Sequence, residues 1–315
     1  MTPGATDRAE GVLVGQLAGD ALGSLVEFRS AEEILSAYPG GVRELRDGGT
    51  WNTLAGQPTD DSEMALALAR SLVERGKYDV RAVRAAYVEW LESDPFDCGR
   101  TVYRGLSGRP DPGSQANGAL MRASPLGIFG AGRDPVELAR WAEEDAALTH
   151  PHPVCRQANV LYVLAIALAV RTGAGPREVY REVERWADEI GVDDSLRRAI
   201  AAAAEGPPEV EPGKEGWVLV AFGNALWRLL DAPTLEEGVV ETIGMGGDTD
   251  TNAAICGALL GAVHGRSAIP ERWVEGLLSC RPEAGWPGIR HPRPRRYWPV
   301  DAPELARALL AVGTG

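Results

Sequence analysis

Four cysteines in 315 residues (Cys98, Cys155, Cys256, Cys280) are too few for a dense disulfide framework. None stands at a CxxC or similar spacing, so a zinc ribbon is excluded as well. Scattered this way, they are expected to be buried free thiols of a reducing cytosol. Basic residues are also short: 32 Lys and Arg against 45 Asp and Glu leave a net charge of -13. Such an acidic surface repels phosphate backbones, so general nucleic-acid binding is not expected, although a small anionic ligand in a metal-lined pocket remains open. Long apolar runs are missing. The longest, from Ala158 to Val170, is 13 residues between Arg156 and Arg171. It is too short to span a bilayer and suits a buried core helix. The opening MTPGATDRAEG lacks the basic-then-apolar build of a secretion signal. The expectation is a cytoplasmic chain with no membrane partner, acting as a monomer.

Strand-like alternation is scarce too, whereas helical signals recur. Val83, Ala86, Tyr87 and Trp90 fall at a period near 3.6 within Arg81 to Leu91. Asp134-Pro135-Val136-Glu137 combines a cap, a first-position proline and an early acid. Ser30 with Glu33, and Thr234 with Glu237, stand at capping-box spacing. Trp217 to Leu230 is apolar on nearly every side, as inside a large domain. Glycine and proline gather at Pro39 to Pro58, Gly105 to Gly118, Glu205 to Gly216 and Arg281 to Pro299, which are loops rather than linkers. The prediction is an all-α, compact single-domain orthogonal multi-helix bundle over residues 1–315. Residues 281–315 form a C-terminal loop and helix packed on it. The arginines and aromatics of that tail are expected to lie on the protein's own acidic surface.

Two polar clusters carry the chemistry: Thr59-Asp60-Asp61-Ser62, and Gly246-Gly247-Asp248-Thr249-Asp250-Thr251-Asn252. Each precedes an alanine-rich apolar segment, Met64 to Val73 and Ala253 to Val263. A single aspartate at such a place is usually a helix cap. Adjacent carboxylates repel and are costly beside apolar helices unless a cation compensates them. An oxygen-only donor set favours Mg²⁺, Ca²⁺ or Mn²⁺ over zinc or copper. A calcium EF-hand fails, because Ala253 and Leu259 occupy the positions that need glycine and glutamate. Spacing alone leaves a hard-metal site and paired capping both open. Gly244, Gly246 and Gly247 let the backbone turn sharply and approach a ligand. His150 and His152 form an HxH pair without a third nitrogen or sulfur ligand.

Several stretches together resemble the ADP-ribosylglycohydrolase family. They are Gly15-Gln-Leu-Ala-Gly-Asp20-Ala-Leu-Gly23-Ser-Leu-Val-Glu27-Phe28, Thr59-Asp-Asp-Ser62, Asn117-Gly-Ala-Leu-Met121-Arg122, Thr149-His150 and Gly246-Gly-Asp-Thr-Asp-Thr-Asn252. They occur in family order between about residue 10 and about residue 265. The resemblance implies a binuclear Mg²⁺ centre, with Mn²⁺ as a substitute, held by Thr59, Asp60, Asp61, Asp248, Asp250 and Thr251. It implies that Glu27 assists catalysis from a mobile loop and that Asp97 stands by the acceptor. Asn117, Gly118, Met121 and Arg122 match a segment near the ribose and phosphates, and His150 matches a position near the nucleotide. Gly246 and Gly247 are expected at the ligand. Asp20 either supports the same pocket or caps Ala21 onward, and Arg122 either meets phosphate or pairs with an acid.

The implied activity is Mg²⁺-dependent hydrolysis of the bond between ADP-ribose and an acceptor, ADP-ribosyl-arginine or a related protein or small-molecule conjugate. Cleavage at the anomeric carbon develops oxocarbenium character, which carboxylates stabilise. A magnesium-dependent nucleotide phosphohydrolase and a non-catalytic ADP-ribose-binding member of the fold are the competing readings.

Overall fold

Four glycines spaced four apart decide how the molecule is assembled. In the computed structural model, which describes residues 4–314, Gly11, Gly15, Gly19 and Gly23 line one face of α1 (Ala5–Gly23). A Cβ at any of them would fall inside 3.0 Å of backbone in α13 (Thr249–His264) or just after it. Gly11 meets Gly261, Gly15 meets Gly257, Gly19 meets Ala253, and Gly23 meets Thr249 and Asp250. The numbering runs in opposite directions, so the two helices are antiparallel with their backbones in direct contact. Gly257 and Gly261 return the arrangement by facing the carbonyls of Gly15 and Gly11. Hydrogen as the side chain is what permits this approach. The end of α1 is thereby held against the start of α13, where the second aspartate cluster lies.

The remaining helices wrap this pair. They are α2 (Ala31–Ala37), α3 (Asp60–Arg75), α4 (Val80–Glu92), α5 (Arg100–Leu106), α6 (Ser124–Phe129), α7 (Pro135–Ala147), α8 (Pro153–Thr172), α9 (Pro176–Ile190), α10 (Asp194–Ala202), α11 (Val218–Asp231), α12 (Leu235–Ile243), α14 (Glu271–Ser279) and α15 (Ala302–Thr314). Among the described residues there are only isolated bridges and no strand. The all-α reading holds, and one continuous apolar core runs through the fold. Expected starts are found: Asp134 caps α7, Ser30 and Glu33 close a full capping box on α2, and the Thr234 hydroxyl accepts from Glu237 N–H. His152 of the HxH pair caps α8 through its ring, accepting from Val154 N–H. The apolar run Ala158 to Val170 lies in α8, a helix long and apolar enough to cross a membrane by length and composition; 78% of its window is buried inside the protein.

Two expectations change. The aspartate clusters do not precede their helices but form the first turns of α3 and α13. Of the four cysteines, three are buried, but Cys98 is only half-buried and lines the large cavity described below. It sits in the loop before α5, packed on one side against the core and open to the cavity on the other.

Ion pairs join the C-terminal segment to α3 and α4. Arg293 is buried and forms a two-pronged pair with Glu63 of α3, at 2.8 Å on each prong. Arg296 pairs with Glu89, and Arg70 grips Asp301 with both nitrogens, at 2.9 and 2.7 Å. Trp286 departs from that pattern and stands 64% exposed. Replacing Arg293 by Met would leave Glu63 charged and unpaired in the core. A loss of about 3–5 kcal/mol is expected in urea unfolding. Arg295→Ala, on an exposed position nearby, should change stability by no more than about 0.5 kcal/mol.

Candidate active site

A cavity of about 990 Å³ opens where the starts of α3, α5 and α13 meet the loops between α1 and α2 and between α10 and α11. Glu27, Asp60, Asp97, Asp111, Glu215 and Asp248 contribute its acids, and Arg100 is the sole arginine or lysine on its wall among the described residues. The two clusters, almost 190 residues apart in sequence, therefore converge on one space through Asp60 and Asp248.

Asp20 explains how the first cluster is held. It lies within α1 and caps not its own helix but α3. Its Oδ1 accepts from the Thr59 hydroxyl (2.9 Å) and Thr59 N–H (3.1 Å), and its Oδ2 accepts from Ser62 N–H (3.1 Å). The Thr59 hydroxyl also stands 2.9 Å from Asp61 Oδ2. Gln16 adds a second stitch, donating to the carbonyls of Met121 (2.9 Å) and Asp61 (3.3 Å). With Asp20 supplying the cap, Asp60 and Asp61 are freed from capping. Asp60 Oδ2 accepts from Gly99 N–H at 3.1 Å, while Asp61 Oδ1 is buried with no hydrogen-bond partner.

The second cluster meets the Glu27 loop. Carboxylate oxygens of Glu27, Asp248 and Asp250 all lie within 4.8 Å of one another. Glu27 is buried and accepts from the indole N–H of Trp51 at 2.5 Å. Phe28 takes the left-handed conformation (φ 66°) and its N–H donates to the Gly247 carbonyl at 2.8 Å, while Gly247 N–H donates to the Arg29 carbonyl at 2.8 Å. Gly246 and Gly247 are themselves left-handed, at φ 77° and 74°. A Cβ on Gly246 would strike the backbone of Arg29 to Ala31, and one on Gly247 would strike Glu215. Gly246 thus serves the close approach of the Glu27 loop rather than of a ligand, a correction to the expectation; Gly247 does line the cavity. Asn117 donates to Asp248 Oδ2 at 2.7 Å and fixes that carboxylate.

Burial and mutual repulsion dominate the electrostatics. Burial first, then the Asp97 charge, pushes Glu27 up to about 8. Burial and the Asp60 charge push Asp97 up to about 9. Asp60 rises to about 7, mainly by burial, and Asp61 and Asp250 rise well above the carboxylate range for the same reason. Asp20 and Asp248 are raised too, against the hydrogen bonds that restrain them. Seven acids held this way, all oxygen donors, with one oxygen buried and unpartnered, fit a hard divalent cation. The capping alternative left open by spacing fails for α3, because Asp20 supplies the cap from another helix.

Asn117, Gly118, Met121 and His150 also line the cavity. Arg122 does not line the cavity. It is fully buried behind the wall, paired with Asp145 (3.2 Å), bonded to the Thr149 hydroxyl (2.9 Å) and the Gly118 carbonyl (3.2 Å), and laid over the Tyr87 ring. The acid-pairing option is therefore the one the structure takes, and phosphate contact by Arg122 is withdrawn. Thr59, Asp61 and Asp250 sit below the exposed floor, whereas Thr251 reaches it.

Some residues escaped the sequence reading. Trp51 belongs to none of the motifs, and only the folded loop places it on Glu27 and between Phe28 and Phe96. Asn252 was seen only as the end of the second cluster, and its role was not: it donates to the Glu215 carbonyl (3.2 Å) and so ties the α10–α11 loop to the site. The period-four glycines of α1 were visible as a spacing but point to no chemistry by themselves.

The profile described as ADP-ribosylglycohydrolase matches residues 1–295. The chain is 32% identical to an ADP-ribosyl-[dinitrogen reductase] glycohydrolase of Rhodospirillum rubrum, over 87% of this chain and 92% of that protein. It is 27% identical to an ADP-ribosylarginine hydrolase of Pseudomonas putida, over 86% of this chain and 74% of that one. Among solved structures, an ADP-ribosylglycohydrolase-related protein complex superimposes with a TM-score of 0.80 and 27% identity, covering 98% of this chain and 99% of the other.

Proposed function

This chain belongs to the ADP-ribosylglycohydrolase family, and we propose that it hydrolyses the glycosidic bond joining ADP-ribose to an acceptor, ADP-ribosyl-arginine or a related conjugate, at a centre of two Mg²⁺ ions. The convergence of the two aspartate clusters on one cavity is the observation that carries this reading. Thr59, Asp60, Asp61, Asp248, Asp250 and Thr251 would hold the ions. When bound, these supply positive charge that compensates the carboxylates and polarises sugar hydroxyls or a water.

The chain's own residues do the rest. Asn117 and Thr59 hold carboxylates in fixed orientations, so no reorganisation is needed as charge develops at the anomeric carbon. Glu27, pushed up to about 8 and steadied by Trp51, would assist proton movement during bond cleavage. An acidic mouth with Trp51 and Trp217 beside it favours a cationic leaving group such as a guanidinium.

Incubation with a panel of ADP-ribosylated proteins and small molecules, with and without Mg²⁺, tests the reading. Chromatography should show free ADP-ribose only when Mg²⁺ is present. Release of phosphate or nucleoside monophosphate instead would make the enzyme a phosphohydrolase. Glu27→Gln should lower kcat by about 10²–10⁴-fold with little change in KM. Unchanged turnover in that variant would remove Glu27 from proton movement.

A further inference from the structure

His150 faces the cavity from a fully buried position, and its Nε2 has no hydrogen-bond partner among the described residues. Its other nitrogen, Nδ1, is 2.8 Å from the Thr149 hydroxyl. That hydroxyl is also 2.9 Å from Nη1 of Arg122. A guanidinium only donates. The Thr149 oxygen therefore accepts from Arg122, and its single proton is left for one recipient. Among the described residues, Nδ1 is the sole other partner of that hydroxyl. If Nδ1 carried a proton instead, the buried Thr149 proton would have nowhere to go, an arrangement proteins avoid.

We propose that Arg122 and Thr149 form a relay that locks His150 as the Nε2–H tautomer, so that the ring presents one fixed N–H donor to an acceptor atom of the ligand in the cavity. Arg122 and Thr149 are positioning residues in this scheme; His150 is the one that touches ligand. Arg122 is itself fixed by Asp145, which also accepts from the Tyr87 hydroxyl at 2.8 Å, so the relay is anchored at its far end. Burial, and then the Arg122 charge, push His150 down to about 3, and the ring keeps a single proton at neutral pH. Gly118, whose carbonyl Arg122 also grips, keeps the donor face open: a Cβ there would lie 3.2 Å from Cε1 and 3.4 Å from Nε2.

A fixed donor polarises the cavity. Among carboxylates that only accept, His150 offers an N–H that can meet phosphoryl, ribose or adenine acceptors but repels the donors of a guanidinium. The substrate is thereby oriented with its nucleotide portion toward His150 and a cationic acceptor toward Asp97. This orientation rests on the proposed substrate; the tautomer does not.

Imidazole ¹⁵N NMR of the whole protein without ligand, at pH 6–8, tests the relay. Only four histidines are present, and the spectrum of His150→Gln assigns the one at issue. The expected result is an unprotonated Nδ1 and a protonated Nε2 with slow hydrogen exchange. Thr149→Ser should preserve this pattern, and Thr149→Val should show the Nδ1–H form appearing. ADP-ribose should bind roughly tenfold more weakly to Thr149→Val and normally to Thr149→Ser. A wild-type ring protonated at Nδ1, or doubly protonated, overturns the proposal even if Thr149→Val does not fold. If the substrate panel yields no ADP-ribose while the wild-type ring is Nε2–H, the substrate reading fails and the relay stands.

Discussion

Exchanging Asp61 or Asp250 for asparagine should stop Mg²⁺-dependent turnover and, in the metal-free protein, raise the melting temperature. The two effects share one cause. Asp61 is wholly buried, one of its oxygens has no partner, and burial and the neighbouring Asp60 and Asp20 charges push its carboxyl well above the ordinary range. Asp250 is raised mainly by burial, then by Asp61. Asparagine keeps the shape and ionises in neither state, so the cost of burying a carboxyl that the unfolded chain would ionise is removed, and a gain of about 1–3 kcal/mol is expected where no cation compensates. The same change deletes a ligand. Loss of several kcal/mol of transition-state stabilisation corresponds to a fall in kcat/KM of about 10³-fold or more. Added Mg²⁺ should stabilise the native protein by about 2.7 kcal/mol at a hundred times its Kd and leave the variants nearly unmoved.

The pH dependence of the chelated protein follows from the same groups. A carboxyl whose folded pKa is raised keeps its proton in the native state at a pH where the unfolded chain has lost it. Native protein then binds more protons than unfolded, and stability falls as pH rises. The contribution is fully present below about 4, the unfolded range. It is lost through about 6 for Asp20, about 7 for Asp60, about 8 for Glu27 and about 9 for Asp97. Calorimetry from pH 5 to 9 after chelation should show this decline, and Mg²⁺ should flatten it. A melting temperature indifferent to pH, to Mg²⁺ and to both asparagine variants would show that the carboxylates do not form a cation site.

Legibility in the sequence followed the range of the interactions. The caps at Asp134 and Ser30 and the run inside α8 are local, and local spacing announces them. The aspartate clusters were legible as chemistry because unlike caps they come in pairs. Their partners were not. Asp20 capping α3, Trp51 on Glu27 and Arg122 behind His150 link segments 24 to 42 residues apart. Arg122 shows the limit most clearly. Its place beside Asn117 and Met121 suggested a phosphate contact, but the short turn over Leu120–Arg122 points its side chain into the core, where Asp145 awaits it.

The α1–α13 contact makes the second strong prediction, because there the local and the tertiary preference have opposite signs. In an isolated helix, alanine is better than glycine by about 1 kcal/mol. At Gly19 the added methyl would sit inside 3.0 Å of the Ala253 carbonyl, a backbone group that cannot turn aside. Relief requires α1 and α13 to separate along a face where three further glycines hold them together. Gly19→Ala is expected to cost about 3 kcal/mol despite its better helix propensity, and Gly19→Val more, as judged by denaturant unfolding. Gly206→Ala, where a Cβ meets nothing within 4 Å, serves as the neutral control. Position along the helix then separates folding from chemistry. Gly19 adjoins Asp20, and its contact at Ala253 is one turn from Asp250, so separation there spreads the two ligand clusters and lowers kcat in whatever fraction folds. Gly11 meets Gly261 at the other end of the pair. Gly11→Ala should lose comparable stability while its folded fraction keeps most of its turnover. Equal stability of Gly19→Ala and the native chain would mean that backbone contact between these helices does not set the geometry of the site.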